Sequence, residues 1–401
     1  MGDGAFSAHD FLWRHRLRPY DLTVYQLGNS SWHDFLWPYL FRFPGLAVLH
    51  DAHLHHARAA ALLREQRADD YRREFMAAHP EVSRDLAELA IAGFATHLYY
   101  AWPLVRLVVE ASRLTAVHTP LVAESLREQS PHAAIDVIRL GHGRRLTEAD
   151  AGRASARVRQ RHEIPAGAVV FGVFGGLTPE KRVPQVLEAF AAIRRHHPDV
   201  RLLLAGAPAW HYDVAADIAR LGLDAHTIVT GYVDDDEMFD EYVAACDVAI
   251  TLRWPTAREV SGPWLRALAA GRPTITTDLA HMAHVPALDP RTWQPHQKTG
   301  GLAFSVAIDI LDEDHSLRLA MRRLAGDAGL RDTLGRAAAS YWEMHHSPGR
   351  MVEDYRRLIA RAIERPAPSP ELPAHLRADG TARLAALLEP FGLPADVWSR
   401  I

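Results

Sequence analysis

The feature that most constrains the fold of this chain is the word VVFGVFGGLTPEKRVPQVLEAF, residues 169–190. An apolar run breaks at Gly175-Gly176, delivers Lys181-Arg182 and then resumes with Val183, Val186, Leu187, Phe190 and Ile193 on one helical stripe. That order predicts a buried strand, a loop the size of a phosphate group and an amphipathic helix. A strand buried on both faces belongs to a parallel sheet, because helical crossovers cover both sides of it. A second word, RWPTAREVSGPWLRALAAGRP at 253–273, sets Glu259, Ser261 and Gly262 just ahead of a short helix. The free N–H groups and dipole at such a helix start favour an anion. Two such elements predict a diphosphate site.

Further apolar runs extend the pattern. Leu22–Leu27, Leu46–Leu49, Leu114–Val117 and Asp136–Leu140 read as strands of a first parallel sheet. Val200–Ala205, Thr227–Thr230, Asp247–Leu252 and Pro273–Thr277, separated by helical segments, read as a second, doubly wound one. Between Asp51 and Arg113 lies a long helical insertion, with Leu86, Leu89, Ala90, Phe94 and Leu98 at helical spacing. It either shapes a binding cleft or only covers the sheet. At 401 residues two domains are expected, each with its own core. The expected boundaries are 1–150 for the first domain and 165–345 for the second. A C-terminal helix at 346–365 and a tail at 366–401 follow. No strand and Gly-rich loop precedes Asp21, so the expected first domain is incomplete, with one exposed sheet edge near Leu22–Leu27.

The two words resemble the C-terminal domain of the family 4 retaining glycosyltransferases, whose GT-B fold is two Rossmann-like, doubly wound domains facing a cleft. In that family a Gly-Arg pair and a following Lys hold the donor diphosphate; Gly175 and Lys181 match, and the Arg position is Gly176. The family also has two Glu separated by seven residues. Glu259 matches the first, near the donor sugar, whereas the second falls at Ala267 with Arg266 beside it. The resemblance implies transfer of a sugar from a nucleoside diphosphate sugar to an acceptor with retention of anomeric configuration. The acceptor class, whether glycan, lipid-linked sugar or small molecule, stays open, and no cofactor or metal is implied.

The expected catalytic residues are His50, Lys181 and Glu259, His50 by likeness to the family's strand-end histidine. The expected donor-binding set is Gly175, Gly176, Lys181, Arg182, Gly206, Gly231, Tyr232, Val233, Glu259, Ser261, Gly262 and Arg266. Lys181 and Arg182 can meet phosphate oxygens while glycine lets backbone approach closely. Gly206 and Gly231-Tyr232-Val233 close strands where the family's backbone holds the nucleotide base. Alternatives are a non-catalytic nucleotide-sugar-binding or assembly subunit, favoured by Gly176 and the missing second Glu, and a nucleotide-sugar 2-epimerase.

Charge balance narrows the partners. With 45 Lys and Arg against 49 Asp and Glu, bulk attraction to nucleic acid is not expected. The single Cys246 excludes an intrachain disulfide framework and fits a cytoplasmic protein. No apolar run reaches the length of a membrane span. FLWRHRLRPY, residues 11–20, mixes aromatic and basic residues. It reads either as a peripheral contact with anionic lipid at the inner membrane surface or as a partly exposed terminal helix. The histidines His53, His55 and His56 follow His50-Asp51 closely enough to converge on a metal; with 24 His in the chain, chance clustering accounts for them and no metal site is expected.

Overall fold

The computed structural model describes residues 4–94, 98–296, 301–378 and 381–393. The chain forms two compact units. The first comprises 1–117, 123–137 and 355–401, and the second 118–122 with 138–354. The division falls at Val137/Ile138, ahead of the expected boundary at 150, because the segment 138–150 associates with the second unit. It also passes through the helix Pro348–Glu364, between Asp354 and Tyr355. Of the expected tail, 379–380 and 394–401 lie outside the described residues.

The first unit holds a four-stranded parallel sheet of β1 (Val24–Leu27), β2 (Leu46–Leu49), β3 (Leu114–Val117) and β4 (Ile135–Val137), in that spatial order. Every β2 and β3 residue is buried, which is why those runs read as uniformly apolar. The strand β1 is an edge strand, as expected for Leu22–Leu27. The insertion is helical: His55–Arg64, Ala68–Ala78, Asp85–Ile91, Leu98–Ala101 and Arg106–Ala111. Its expected stripe from Leu86 to Leu98 is not one helix. Gly93 takes a left-handed φ of +89°, open to glycine without strain, and Phe94 beyond it is exposed. Tail residues Leu372 and Leu376 pack against this helical layer, and His375 Nε2 lies 2.8 Å from Glu74 Oε1.

Among the described residues the second unit holds seven parallel strands in the order β10-β11-β9-β8-β5-β6-β7. They are β5 (Val170–Phe174), β6 (Arg201–Ala205), β7 (Thr227–Val229), β8 (Val248–Thr251), β9 (Thr274–Thr277), β10 (Ala287–Leu288) and β11 (Ser305–Ile308). Alternate residues of β5 serve opposite faces. Phe171 and Val173 enter one core with the helices Val183–Arg194 and Glu313–Gly326, while Val170 and Phe174 enter another with Asp236–Ala245. Helices therefore cover both sides of the sheet, the doubly wound arrangement expected. Two strands, β10 and β11, are additions to the sequence reading. The run SVAI of β11 is fully buried. Cys246 is also buried, with Sγ 3.1 Å from Val243 O, and burial pushes its thiol up to about 12. Among the described residues no helix is long and apolar enough to cross a membrane.

Candidate active site

In an open parallel sheet the carboxyl ends of the strands leave backbone groups and side chains free to meet a ligand. In the second unit the ends of β5, β8 and β9 surround a pocket that is open at its mouth. Val173, Ile250, Leu252, Met282 and Val285 form apolar walls, and Lys181, Arg253, Glu259, Ser261, Asp278, His281 and His296 supply polar groups.

Lys181 reaches this pocket through local turn chemistry. After β5, Gly175 adopts φ +80°. A Cβ there would sit 2.7 Å from Lys181 Nζ. Glycine thus lets the ammonium fold back to donate a 2.8 Å bond to Phe174 O. Thr178 caps the turn Pro179–Lys181, its Oγ1 accepting from Lys181 N at 3.3 Å. Lys181 as a residue is only partly buried, but its ammonium lies among protein atoms. That burial, with the positive Arg253 nearby, lowers its pKa to about 7, against a smaller opposing pull from Glu259. A bound anion would reverse the penalty.

The second word builds the facing wall. Trp254 N donates to Glu180 O at 2.7 Å, tying the loop after β8 to the loop after β5. Arg253 Nε pairs with Glu259 Oε1 at 2.6 Å, and Thr256 Oγ1 donates to Glu259 Oε2 at 2.9 Å. His281 Nε2 lies 3.2 Å from the Glu259 carbonyl, and burial holds this histidine below its ordinary pKa. The carboxylate is therefore fixed in orientation. Ser261 caps the helix Gly262–Ala269, with Oγ accepting from Trp264 N at 3.4 Å. Gly262 opens that helix, and a Cβ there would come within 3.2 Å of the His142 ring.

The pocket thus brings together Lys181, Glu259 and Ser261. Other expected residues go elsewhere. Arg182, at a left-handed φ of +59°, directs its guanidinium to Glu313, Nε to Oε1 at 2.8 Å. Both side chains are largely buried, which strengthens this charge-assisted pair. Arg266 points neither into this pocket nor to solvent. It is buried, pairs with Asp236 and, at 3.3 Å, with Asp240, and donates to His142 Nε2 at 3.1 Å. Gly206 serves close packing, since a Cβ there would lie 2.1 Å from Gly175 O. Gly176 faces open space, so crowding does not exclude a larger residue there. Gly231 takes φ +72° at the end of β7, Tyr232 is exposed and Val233 packs on the sheet core. These last three lie beyond β5 from the pocket.

Sequence reasoning passed over Arg253. Its signal was its place immediately after the β8 run, the strand-end position that a parallel sheet turns toward ligand. Asp278 was also missed, at the end of β9, with Oδ2 3.0 Å from His296 Nε2.

His50 ends β2 in the first unit. Its Nε2 lies 2.8 Å from Gln26 Oε1, while Gln26 Nε2 donates to Tyr355 OH at 2.9 Å. Gln26 O accepts from His33 Nδ1 at 2.8 Å, and Asp51 Oδ2 accepts from Asn29 N at 2.6 Å. Burial lowers the His50 pKa, helped by His33. His55 does not converge on its neighbours. Its Nδ1 meets Trp102 O and its Nε2 meets Tyr71 OH, both at 2.7 Å.

Residues 168–291, which contain this pocket's main loops, match the family Glycosyl transferases group 1. The 2-deoxystreptamine glucosyltransferase of Streptomyces kanamyceticus is 25% identical over 208 residues, covering 51% of this chain and 50% of that protein. The chain thus aligns with about half the length of that relative. Sucrose-phosphate synthase from Thermosynechococcus elongatus is structurally similar, with a TM-score of 0.57 and 17% identity over 88% of this chain and 77% of that one. HepE of Anabaena, solved with UDP and glucose, gives 0.56 and 15% over 89% and 84%. WaaG, a glycosyltransferase involved in lipopolysaccharide biosynthesis, gives 0.55 and 14% over 87% and 80%. The fold is α/β with two parallel sheets, that of the GT-B glycosyltransferases.

Proposed function

We propose that this chain is a glycosyltransferase that moves a sugar from a nucleoside diphosphate sugar to an acceptor with retention at the anomeric carbon. The observation that carries this reading is the meeting of Lys181, Arg253 and Glu259 in one pocket at the ends of β5 and β8. Departure of a diphosphate from an anomeric carbon leaves negative charge on oxygen, which prearranged cations stabilise. Lys181, with a single carbonyl partner among the described residues, is suited to that oxygen. Arg253 offers the second cation in the pocket, in place of the family arginine absent at Gly176. Glu259, held by Thr256 and Arg253, accepts hydrogen bonds from donor-sugar hydroxyls. In front-face attack the leaving phosphate oxygen takes the acceptor proton as the new glycosidic bond forms, so no separate protein base is required. His50 is assigned to orienting the donor sugar by the family resemblance. The HepE structure with UDP and glucose makes UDP-sugars the first donors to test.

The test is a thermal-shift screen of the full chain against nucleoside diphosphate sugars, followed by measurement of nucleoside diphosphate release with a panel of glycan, lipid-linked and small acceptors. Acceptor-dependent release supports transfer. Donor binding without turnover supports the non-catalytic subunit, which Gly176 favours, and release of an altered free sugar without acceptor supports the epimerase. Because cations of the chain itself meet the phosphates in this reading, transfer should persist in excess chelator; loss restored by a divalent metal would overturn that part.

A further inference from the structure

The segment before β1 carries a surface that the sugar-transfer reading does not use. Within the helix Phe11–Leu17, Phe11 and His15 turn inward. The Phe11 ring packs edge-on against Tyr39 at 5.5 Å and Phe43 at 5.3 Å, and stacks near Tyr20 at 5.8 Å. Tyr39 OH donates to Ala8 O at 3.1 Å, and Tyr20 N donates to His15 Nδ1 at 3.1 Å. These contacts hold the helix as a fixed ledge on the first unit. Its outward arc, by helical spacing, is Leu12, Arg16, Trp13 and Leu17.

Water reaches apolar groups here that folding usually covers. Leu12 is 47% exposed, Trp13 63% and Leu17 67%, with Phe6 and Tyr20 about half exposed beside them. Half-exposed Phe35 continues the patch through an edge contact with Tyr39 at 6.5 Å. Clustered exposed apolar side chains mark an interaction surface, whereas single ones do not. The charge around them selects the partner. Arg14, Arg16 and Arg18 stand against Asp10 within residues 6–20, in a chain whose net charge is −4. Among the described residues none of these arginines forms an ion pair, although Arg14 stacks over the Phe6 ring. A basic, tryptophan-bearing face on a chain of opposite net charge complements an anionic lipid surface. Trp seats at the headgroup level, Leu enters the acyl boundary and Arg reaches phosphate.

We propose that this ledge is a peripheral membrane contact selective for anionic lipid, with Trp13 and Leu17 inserted and Arg16 and Arg18 on headgroup phosphates. Because Phe11 already fixes the helix, contact requires no folding step, and its ordering cost is small.

The full chain is sedimented with vesicles of phosphatidylcholine alone or mixed with phosphatidylglycerol, without sugar nucleotide, so failure leaves the catalytic reading untouched. Partition into the anionic vesicles alone is expected, weakening with added salt. Each arginine near the surface contributes about fivefold, so Arg16→Ala/Arg18→Ala should lose about 25-fold. Brominated lipid should quench part of the wild-type fluorescence but not that part in Trp13→Phe. Absent or charge-independent partition, or binding unchanged in Trp13→Ala/Leu17→Ala, would overturn the proposal. So would a doubled solution mass abolished by that double variant, which would assign the ledge to a second copy of the chain.

Discussion

Both units place polar side chains at the carboxyl ends of parallel strands, yet the two clusters are built differently. In the first unit, Gln26 engages His50, His33 and Tyr355 at once, and Asn29 and Asp51 bond the intervening loop. In the second, Lys181 gives, among the described residues, one bond to a carbonyl and otherwise faces a pocket with Arg253 and Glu259. A network that satisfies itself fixes side-chain positions. A buried cation with spare donors is costly until an anion arrives. The first cluster therefore holds its own side chains in place, whereas the second leaves a cation able to meet an anion.

The largest effect expected from this contrast is at Lys181. Lys181→Ala should reduce kcat/KM for the donor by about 10²–10³, the cost of removing one prearranged transition-state donor, as steady-state kinetics below saturation would measure. The pH dependence follows from the same group. In the proposed reading the donor meets the protonated amine, and burial lowers that amine's pKa to about 7. Donor affinity should fall as pH rises above that value, by up to about tenfold per unit. Lys181→Arg should flatten this profile. In the empty chain the sign is opposite. Between about 7 and the ordinary 10.5 the unfolded chain keeps the proton that the folded chain has released, so this group's contribution to stability rises with pH. A pH-independent donor affinity in the wild type would break the contrast.

Glu259→Gln should cost about 1.5–3 kcal/mol of donor-sugar interaction, the range for charge-assisted hydrogen bonds, and leave free nucleotide binding much less affected. Equal losses by calorimetry would remove the sugar-contact role. A smaller effect sharpens the difference between adjacent cations. Arg182→Ala should cost stability by about 1–2 kcal/mol, since it leaves the buried Glu313 carboxylate without its partner. Donor affinity should not change, as titration calorimetry beside denaturant unfolding would read. Smallest is Gln26→Ala, expected to destabilise by about 1 kcal/mol without altering nucleotide binding. A loss of nucleotide affinity there would mean that the first cluster is not simply an orienting network.

Two parallel sheets were legible because fully buried strands such as LAVL at 46–49 and VFGVF at 170–174 need covering on both faces, leaving long apolar runs that sequence preserves. Turn chemistry was legible too, since Gly175 and the Ser261 cap act over a few residues. Lys181 and Glu259, which line the pocket, stand in those local words. Sequence could not decide which of two neighbouring cations enters the pocket. Lys181 and Arg182 differ in outcome because Glu313, more than a hundred residues away, claims the guanidinium. Nor could it pair Arg266 with Asp236 and Asp240, or bring Arg253 to Glu259 within hydrogen-bonding reach. Periodicity and turns are written in neighbouring residues. Charge partners are set by which distant helices the sheet stacks together, and only the tertiary structure decides that.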